Sequence, residues 1–221
     1  MITRKDQNIL LLDTSSKTIE FSYQKDGLFL ISERLPQSEN ADMLIFHIAK
    51  LFNEKSIDLK DIRYVSLSNG PGSFTGLRIG SAIAKGICFC SESKLIEISS
   101  LDILANKYNG AKKVISVIFS NTKTSEFYFC EYEKKDGKLI RLSDYKKDKP
   151  EFIFKDGYDI VINEEINTKL FREFENNIRD LSGISNSESQ SDLTMYAIEN
   201  GIFSDYNISE PFYMNDFIPN I

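Results

Sequence analysis

The sequence predicts an α/β protein of two domains, each a mixed sheet with helices on its faces. Three observations carry that expectation. Extended, β-branched and aromatic runs come in triplets at the start of each half of the chain. The first triplet is followed by alternating helical and extended segments. A Lys-Asp-Gly tripeptide stands between the last two runs of both triplets.

In chain order, "NILLLD" (8–13) is a buried strand with its Asp at the carboxyl end. Runs 18–24 and 28–35 flank Lys25-Asp26-Gly27, where Asp-Gly signals a tight hairpin. Residues 39–54 have helical periodicity, with Ala41, Ile45, Ile48 and Phe52 expected on the core face. A strand at 62–68, a helix at 74–91, a strand at 94–99 and a short helix at 100–107 complete the first half. The order β-β-β-α-β-α-β is that of a ribonuclease H-like domain.

The second half opens alike, with runs at 113–120, 125–133 and 138–143 and a second Lys-Asp-Gly at 135–137. A third copy at 155–157 has no such place, so the argument for duplication rests on strand order. A strand at 158–163, a helix at 167–176, a polar loop at 182–192 and a final helix at 192–200 follow. The expected division is 1–104 and 105–221, joined near 103–112, with the second domain reduced.

Of 221 residues, 41% are hydrophobic and 27% charged, with a net charge of −6. That balance suits a globular protein and argues against a free-standing nucleic-acid binder, which carries a basic surface. No apolar run approaches the roughly 20 residues of a membrane span, and the polar start "MITRKDQN" is no secretory signal, so a cytosolic location is expected. Cys88, Cys90 and Cys130 fit neither a disulfide framework nor a C-x-x-C metal pair.

The segment "SNGPGSFTGLRIG" (68–80) joins a strand to a helix, where backbone N–H groups and the helix dipole can collect an anion. It matches neither phosphate-binding pattern. Counting from Gly70, the Gly-Lys of a Walker loop falls on Thr75 and Gly76, and the third glycine of G-x-G-x-x-G falls on Thr75. Instead Gly72, Gly76, Gly80, Ala84 and Cys88 recur every four residues, a small ridge that admits close approach. Ile79, Ile83 and Cys90 form a second apolar stripe with Gly86 among them. A helix apolar on two faces is either fully buried or shared with a partner, and both readings stay open. Met43 and Phe46, on the far side of the 39–54 helix, are suitable interface material.

The strings "ILLLDTSS", "SNGPGSFTGLRIGSAIAKGI" and "LIEISSLDILA" together resemble the TsaB family of bacterial tRNA threonylcarbamoyladenosine biosynthesis proteins. The resemblance is continuous over about the first 105 residues and thins beyond. There Asn121 stands where the family usually has Asp, and Asn215 where it has Arg. It implies two ribonuclease H-like domains of the actin-like ATPase superfamily. It also implies a non-catalytic subunit that pairs with the glycoprotease-like TsaD, which transfers threonylcarbamoyl to the adenosine beside the tRNA anticodon. ATP and a metal ion are expected in that partner complex and none on this chain; the ATPase TsaE joins it. The implied interface comprises Met43, Phe46, His47, Gly76, Ile79, Gly80, Ile83 and Ala84. On this reading a bulky residue at Gly80 is expected to abolish dimerisation. No direct tRNA binding by the chain alone is expected, and a homodimer is an alternative.

The catalytic relative holds its metal with two His at i and i+4, which share one helix face. Aligned from the glycine loop, Ser100 and Leu104 occupy those positions here, and neither replaces a His. His47 is the one histidine, with no partners at metal or triad spacing. Asp13 stands where actin-like kinases keep a phosphate- or metal-binding carboxylate. A nucleotide site built from Asp13, Thr14, Ser15, Gly70, Gly72 and Ser73 therefore remains an alternative, and with it a nucleotide hydrolase or TsaD-like transferase.

Overall fold

The computed structural model describes residues 7–37, 41–110, 113–121, 126–163 and 177–214. It contains two sheets. The first has strands β1 (Asn8–Asp13), β2 (Thr18–Lys25), β3 (Leu28–Pro36), β4 (Tyr64–Ser68) and β5 (Lys94–Ile98) in the order β3-β2-β1-β4-β5. β1, β2 and β3 pair antiparallel, whereas β4 runs parallel to both β1 and β5. The second sheet runs β11-β10-β6-β7-β8, from β6 (Lys113–Asn121), β7 (Glu126–Lys135), β8 (Lys138–Arg141), β10 (Tyr158–Ile162) and β11 (Ile178–Asp180). Taken from β8, this is the same 3-2-1-4-5 order with the same directions: β6–β7 and β7–β8 antiparallel, β6–β10 and β10–β11 parallel. The chain is thus a mixed α/β protein of two ribonuclease H-like sheets.

The repeated Lys-Asp-Gly makes the same turn twice. Asp26 and Gly27 have φ of 52° and 86°, and Asp136 and Gly137 have 52° and 74°. Positive φ at both central residues defines the tight hairpin turn whose twist matches its strands. Residues 113–143 start their own sheet and do not extend the first.

Among the described residues five helices accompany the sheets: α1 (Leu44–Glu54, after a 3₁₀ turn at Ala41–Met43), α2 (Phe74–Ser91), α3 (Ser100–Asn106), α4 (Pro150–Ile153) and α5 (Ser187–Glu199). In β1, Leu10 and Leu12 point into a cluster with Leu44, Ile48 and Phe52 of α1 and Ala84, Ile87 and Cys88 of α2. Ile9 and Leu11 point the other way, into a smaller cluster with Ala197 and Ile198 of α5. A strand covered on both faces needs a continuous apolar run, which "ILLL" supplies.

The structure divides the chain otherwise than at 104/105. One unit is Met1–Ser99 with Asn186–Phe212, and the other is Ser100–Ser185 with Tyr213–Ile221. α3 belongs to the second because Leu101, Leu104 and Ala105 pack on Val114, Ile118, Tyr128 and Val161. The segment from Asn186 returns to the first because α5 lies on β1, β2, β4 and β5.

Other local expectations shift. α1 buries Leu44, Ile48 and Phe52, which repeat every four residues, and leaves Ile45, about 100° round the helix from Leu44, exposed. α5 begins at Ser187, inside the stretch expected to be a polar loop. β9 (Lys146–Asp148), α4 and β11 were not anticipated; β9 fills the half of β7 that the short β8 leaves unpaired. The helix expected at 167–176, the side chains of Ala41 and Asn121, and Asn215 lie outside the described residues.

Candidate functional site

The glycine loop is docked on the turn that follows β1. A methyl group added at Gly72 would overlap the carbonyl of Ser15, and one at Gly76 would overlap the carbonyl of Thr14 and the Gln37 amide. These glycines let two backbones touch. The Ser73 N–H donates to the Ser15 carbonyl (2.7 Å), and the Thr14 hydroxyl donates to the Gly76 carbonyl (2.7 Å). Ser73 caps α2: its Oγ accepts from the Gly76 N–H at 3.2 Å and donates to Gln37 Oε1 at 3.1 Å. Gly70 has φ +117°, a region that favours glycine.

Asp13 is buried, and its oxygens are engaged within the chain. Oδ1 accepts from the Ser15 N–H (2.9 Å) and the Ser15 hydroxyl (2.6 Å), and Oδ2 accepts from Asn186 Nδ2 (2.7 Å). The structure therefore brings Asp13, Thr14, Ser15, Gly72 and Ser73 together, while Gly70, in the same loop, stands against the Phe212 carbonyl and Leu77. There the Ser15 N–H and hydroxyl meet Asp13, and the Ser73 N–H meets the Ser15 carbonyl.

The small ridge of α2 faces the sheet. Gly76, Gly80, Ala84 and Cys88 are buried, and a methyl group at Gly80 would overlap the Thr14 hydroxyl and press Leu67. The proposed interface set thus splits: Gly76, Gly80 and Ala84 lie inside the unit, and a bulky residue at Gly80 would strike the fold before any partner. Met43 and Phe46 are exposed by 49% and 63%, while His47, Ile79 and Ile83 are half-buried. Phe89 was missed by sequence reading, yet it is 74% exposed. Seven residues after Ala82 and three after Gly86, it lies with them on the exposed side of α2, and that spacing is the signal that could have found it. Since α1 and α2 share one core cluster, their outward sides belong to one covering layer of the sheet. This layer is edged by the Arg78 guanidinium, 3.9 Å above the Phe74 ring, and by the Lys50–Glu54 pair.

In the other unit, Ser100 and Leu104 are buried in α3. Between them Asp102 accepts hydrogen bonds from Tyr132 (2.6 Å) and Tyr145 (2.8 Å). Burial raises the Asp102 pKa, and the two tyrosine hydroxyls oppose that rise. This carboxylate ties α3 to its sheet. Among the described residues no group of three or more His, Cys, Asp or Glu side chains is placed to hold a metal ion. No described helix is long and apolar enough to cross a membrane.

Comparison with known proteins extends this picture. Residues 37–206 match the family model described as TsaD, tRNA N6-adenosine threonylcarbamoyltransferase. Over 126 residues the chain is 34% identical to the tRNA threonylcarbamoyladenosine biosynthesis protein TsaB of Buchnera aphidicola subsp. Schizaphis graminum, covering 56% of this chain and 60% of that protein. It is 30% identical over 129 residues to TsaB of Escherichia coli K12, covering 57% and 55%. The chain thus spans a little over half the length of these curated relatives. The solved structure of YeaZ from Pseudomonas aeruginosa superposes with a TM-score of 0.78 at 20% identity, covering 93% of this chain and all of that one, which establishes the shared fold. With the family model matched over residues 37–206, this chain belongs to the TsaD, tRNA N6-adenosine threonylcarbamoyltransferase, family and takes its place there beside TsaB relatives.

Proposed function

We propose that this chain is an accessory, non-catalytic subunit that pairs with a TsaD homologue for threonylcarbamoylation of the adenosine next to the tRNA anticodon. The observation that carries this reading is the outward apolar layer of α1 and α2, with Met43, Phe46 and Phe89 in water. Solvent-exposed Phe and Met on adjoining helices are what an interface core uses. The glycine loop and Asp13 support it, because their hydrogen bonds serve the fold. In this reading ATP and the metal ion belong to the partner complex, which the ATPase TsaE joins, and this chain alone binds no tRNA. The whole acts in the cytoplasm, and a homodimer using the same helices is the alternative to the heterodimer.

Co-purification with a tagged TsaD homologue tests the proposal. Phe46→Asp and Phe89→Asp place charges on an exposed surface, so folding is retained while pairing weakens roughly tenfold or more. Both variants pairing as well as the parent would overturn it. Magnesium-dependent ATP hydrolysis by the purified chain would favour the enzyme reading instead.

A further inference from the structure

On the opposite side of the first sheet from α1 and α2, a cavity of about 230 Å³ opens beside the β2–β3 turn. We propose that it binds a small organic amine that carries an oxygen acceptor at its other end, an amino alcohol or an amino-acid amide. Four features argue for this ligand. Gln7 lines the cavity, is only 4% exposed, and its amide nitrogen has no hydrogen-bond partner. A buried donor left without an acceptor costs about 1–3 kcal/mol, so an acceptor arriving in the cavity is favoured there. Gln24, beside it, is already clamped: its oxygen accepts from the Ser191 hydroxyl at 2.9 Å and its nitrogen donates to the Gly27 carbonyl at 3.3 Å. The open donor therefore belongs to Gln7.

The rim carries the opposite demand. Glu188 lies exposed on the first turn of α5 and lines the cavity, and Asp192, one turn later on the same side, adds charge of the same sign. Two carboxylates make the rim attractive to a cation. Phe29 and Met195 supply apolar walls, and an aromatic wall also favours an ammonium group. The volume falls below the roughly 300–1,000 Å³ of pockets for drug-sized ligands, which limits the occupant to a few heavy atoms. A cation at the rim and an acceptor in depth select an amine with a hydroxyl or carbonyl.

The test is titration of the full chain with ethanolamine and glycinamide, followed by the side-chain amide signals of Gln7 in heteronuclear NMR spectra. Both amines should shift the Gln7 signals saturably, and ethylene glycol, which has the oxygen without the charge, should bind more weakly. Glu188→Gln should weaken amine binding about three- to fivefold, the scale of a partly exposed charge pair. Because Glu188 is exposed, that variant keeps its fold. Three results would overturn the proposal: no saturable shift, equal response to ethylene glycol, or unchanged affinity in Glu188→Gln. A Gln7 amide contacting bound water that no amine displaces would mean a hydration site and nothing more.

Discussion

The first unit covers one face of its sheet with carbon and the other mainly with hydroxyls and amides. On the α1–α2 side, Leu10, Leu12, Ile19, Phe21 and Tyr23 meet Leu44, Ile48, Phe52 and Ala84 in one large cluster. On the α5 side the apolar contact is small, and Ser187, Ser189, Gln190, Ser191 and Thr194 are buried nonetheless. Ser22 and Ser187 share a hydrogen bond of 2.6 Å, as do Ser66 and Thr194 at 2.7 Å. Gln190 Nε2 donates to the carbonyls of Leu12 and Ser66 and to the Ser66 hydroxyl, each at 3.2 Å. At the N-terminus of α5, the Asn186 N–H donates to Glu20 at 2.7 Å. The difference teaches that a helix can be held to a sheet by matched polar groups, because Ser187, Gln190, Ser191 and Thr194 each meet a partner on the strands.

The largest expected effect attacks volume on the apolar face. Gly80→Leu forces a side chain against the Thr14 hydroxyl and Leu67, and with them the bond from Thr14 to the Gly76 carbonyl. Overpacking typically costs about 1–3 kcal/mol and occasionally more, and here the upper end is expected. Urea denaturation should show a lowered midpoint, and an unchanged midpoint would mean that the ridge does not pack inward.

On the polar face, Gln190→Leu should cost about 1–3 kcal/mol, because carbonyls of β1 and β4 lose their donor in a dry place. By contrast, the double change Ser22→Ala with Ser187→Ala removes both partners together and should be nearly neutral. A loss as large as that of Gln190→Leu would mean that the Ser22–Ser187 bond itself holds α5, and that an orphaned partner is not what makes the polar face costly to change.

Tyr23 gives the smallest and most specific effect. Its burial, then the charges of Asp61 and Asp26, push its pKa up to about 12. Because the folded value exceeds the unfolded value near 10, the tyrosine's contribution is fully present below pH 10. It is lost as pH rises toward 12 and beyond, by at most roughly 2.7 kcal/mol, the value of two pKa units. Tyr23→Phe should flatten that alkaline limb while leaving the slope near neutral pH unchanged. A limb of the same steepness in the variant would place the titration elsewhere.

These two faces also mark what could be read from sequence. β1, β2, β3 and α2 follow from apolar runs, the Asp-Gly turn and the Ser73 cap, all of which are local signals. Their repeat at 113–143 exposed the duplication. The first turns of α5 read as loop because "SNSESQSD" shows no apolar stripe; its buried face is complementary to hydroxyls on β2 and β4, which no local pattern reveals. The direction of the small ridge was equally hidden. Gly76 and Gly80 suit a partner helix or a home sheet alike, and only Thr14, its carbonyl at Gly76 and its hydroxyl at Gly80, decides it. Phe46 was recognised as outward, whereas Phe89, near the helix end, was passed over.

Hydrogen exchange of this chain with and without a TsaD homologue tests the central claim most directly. If the apolar layer is the docking face, amides in α1 (Leu44–Glu54) and α2 (Phe74–Ser91) should gain protection on mixing. Those of α5 (Ser187–Glu199), closed on its sheet by its own polar bonds, should not change. Protection concentrated on α5, with α1 and α2 exchanging as in the isolated chain, would contradict the account.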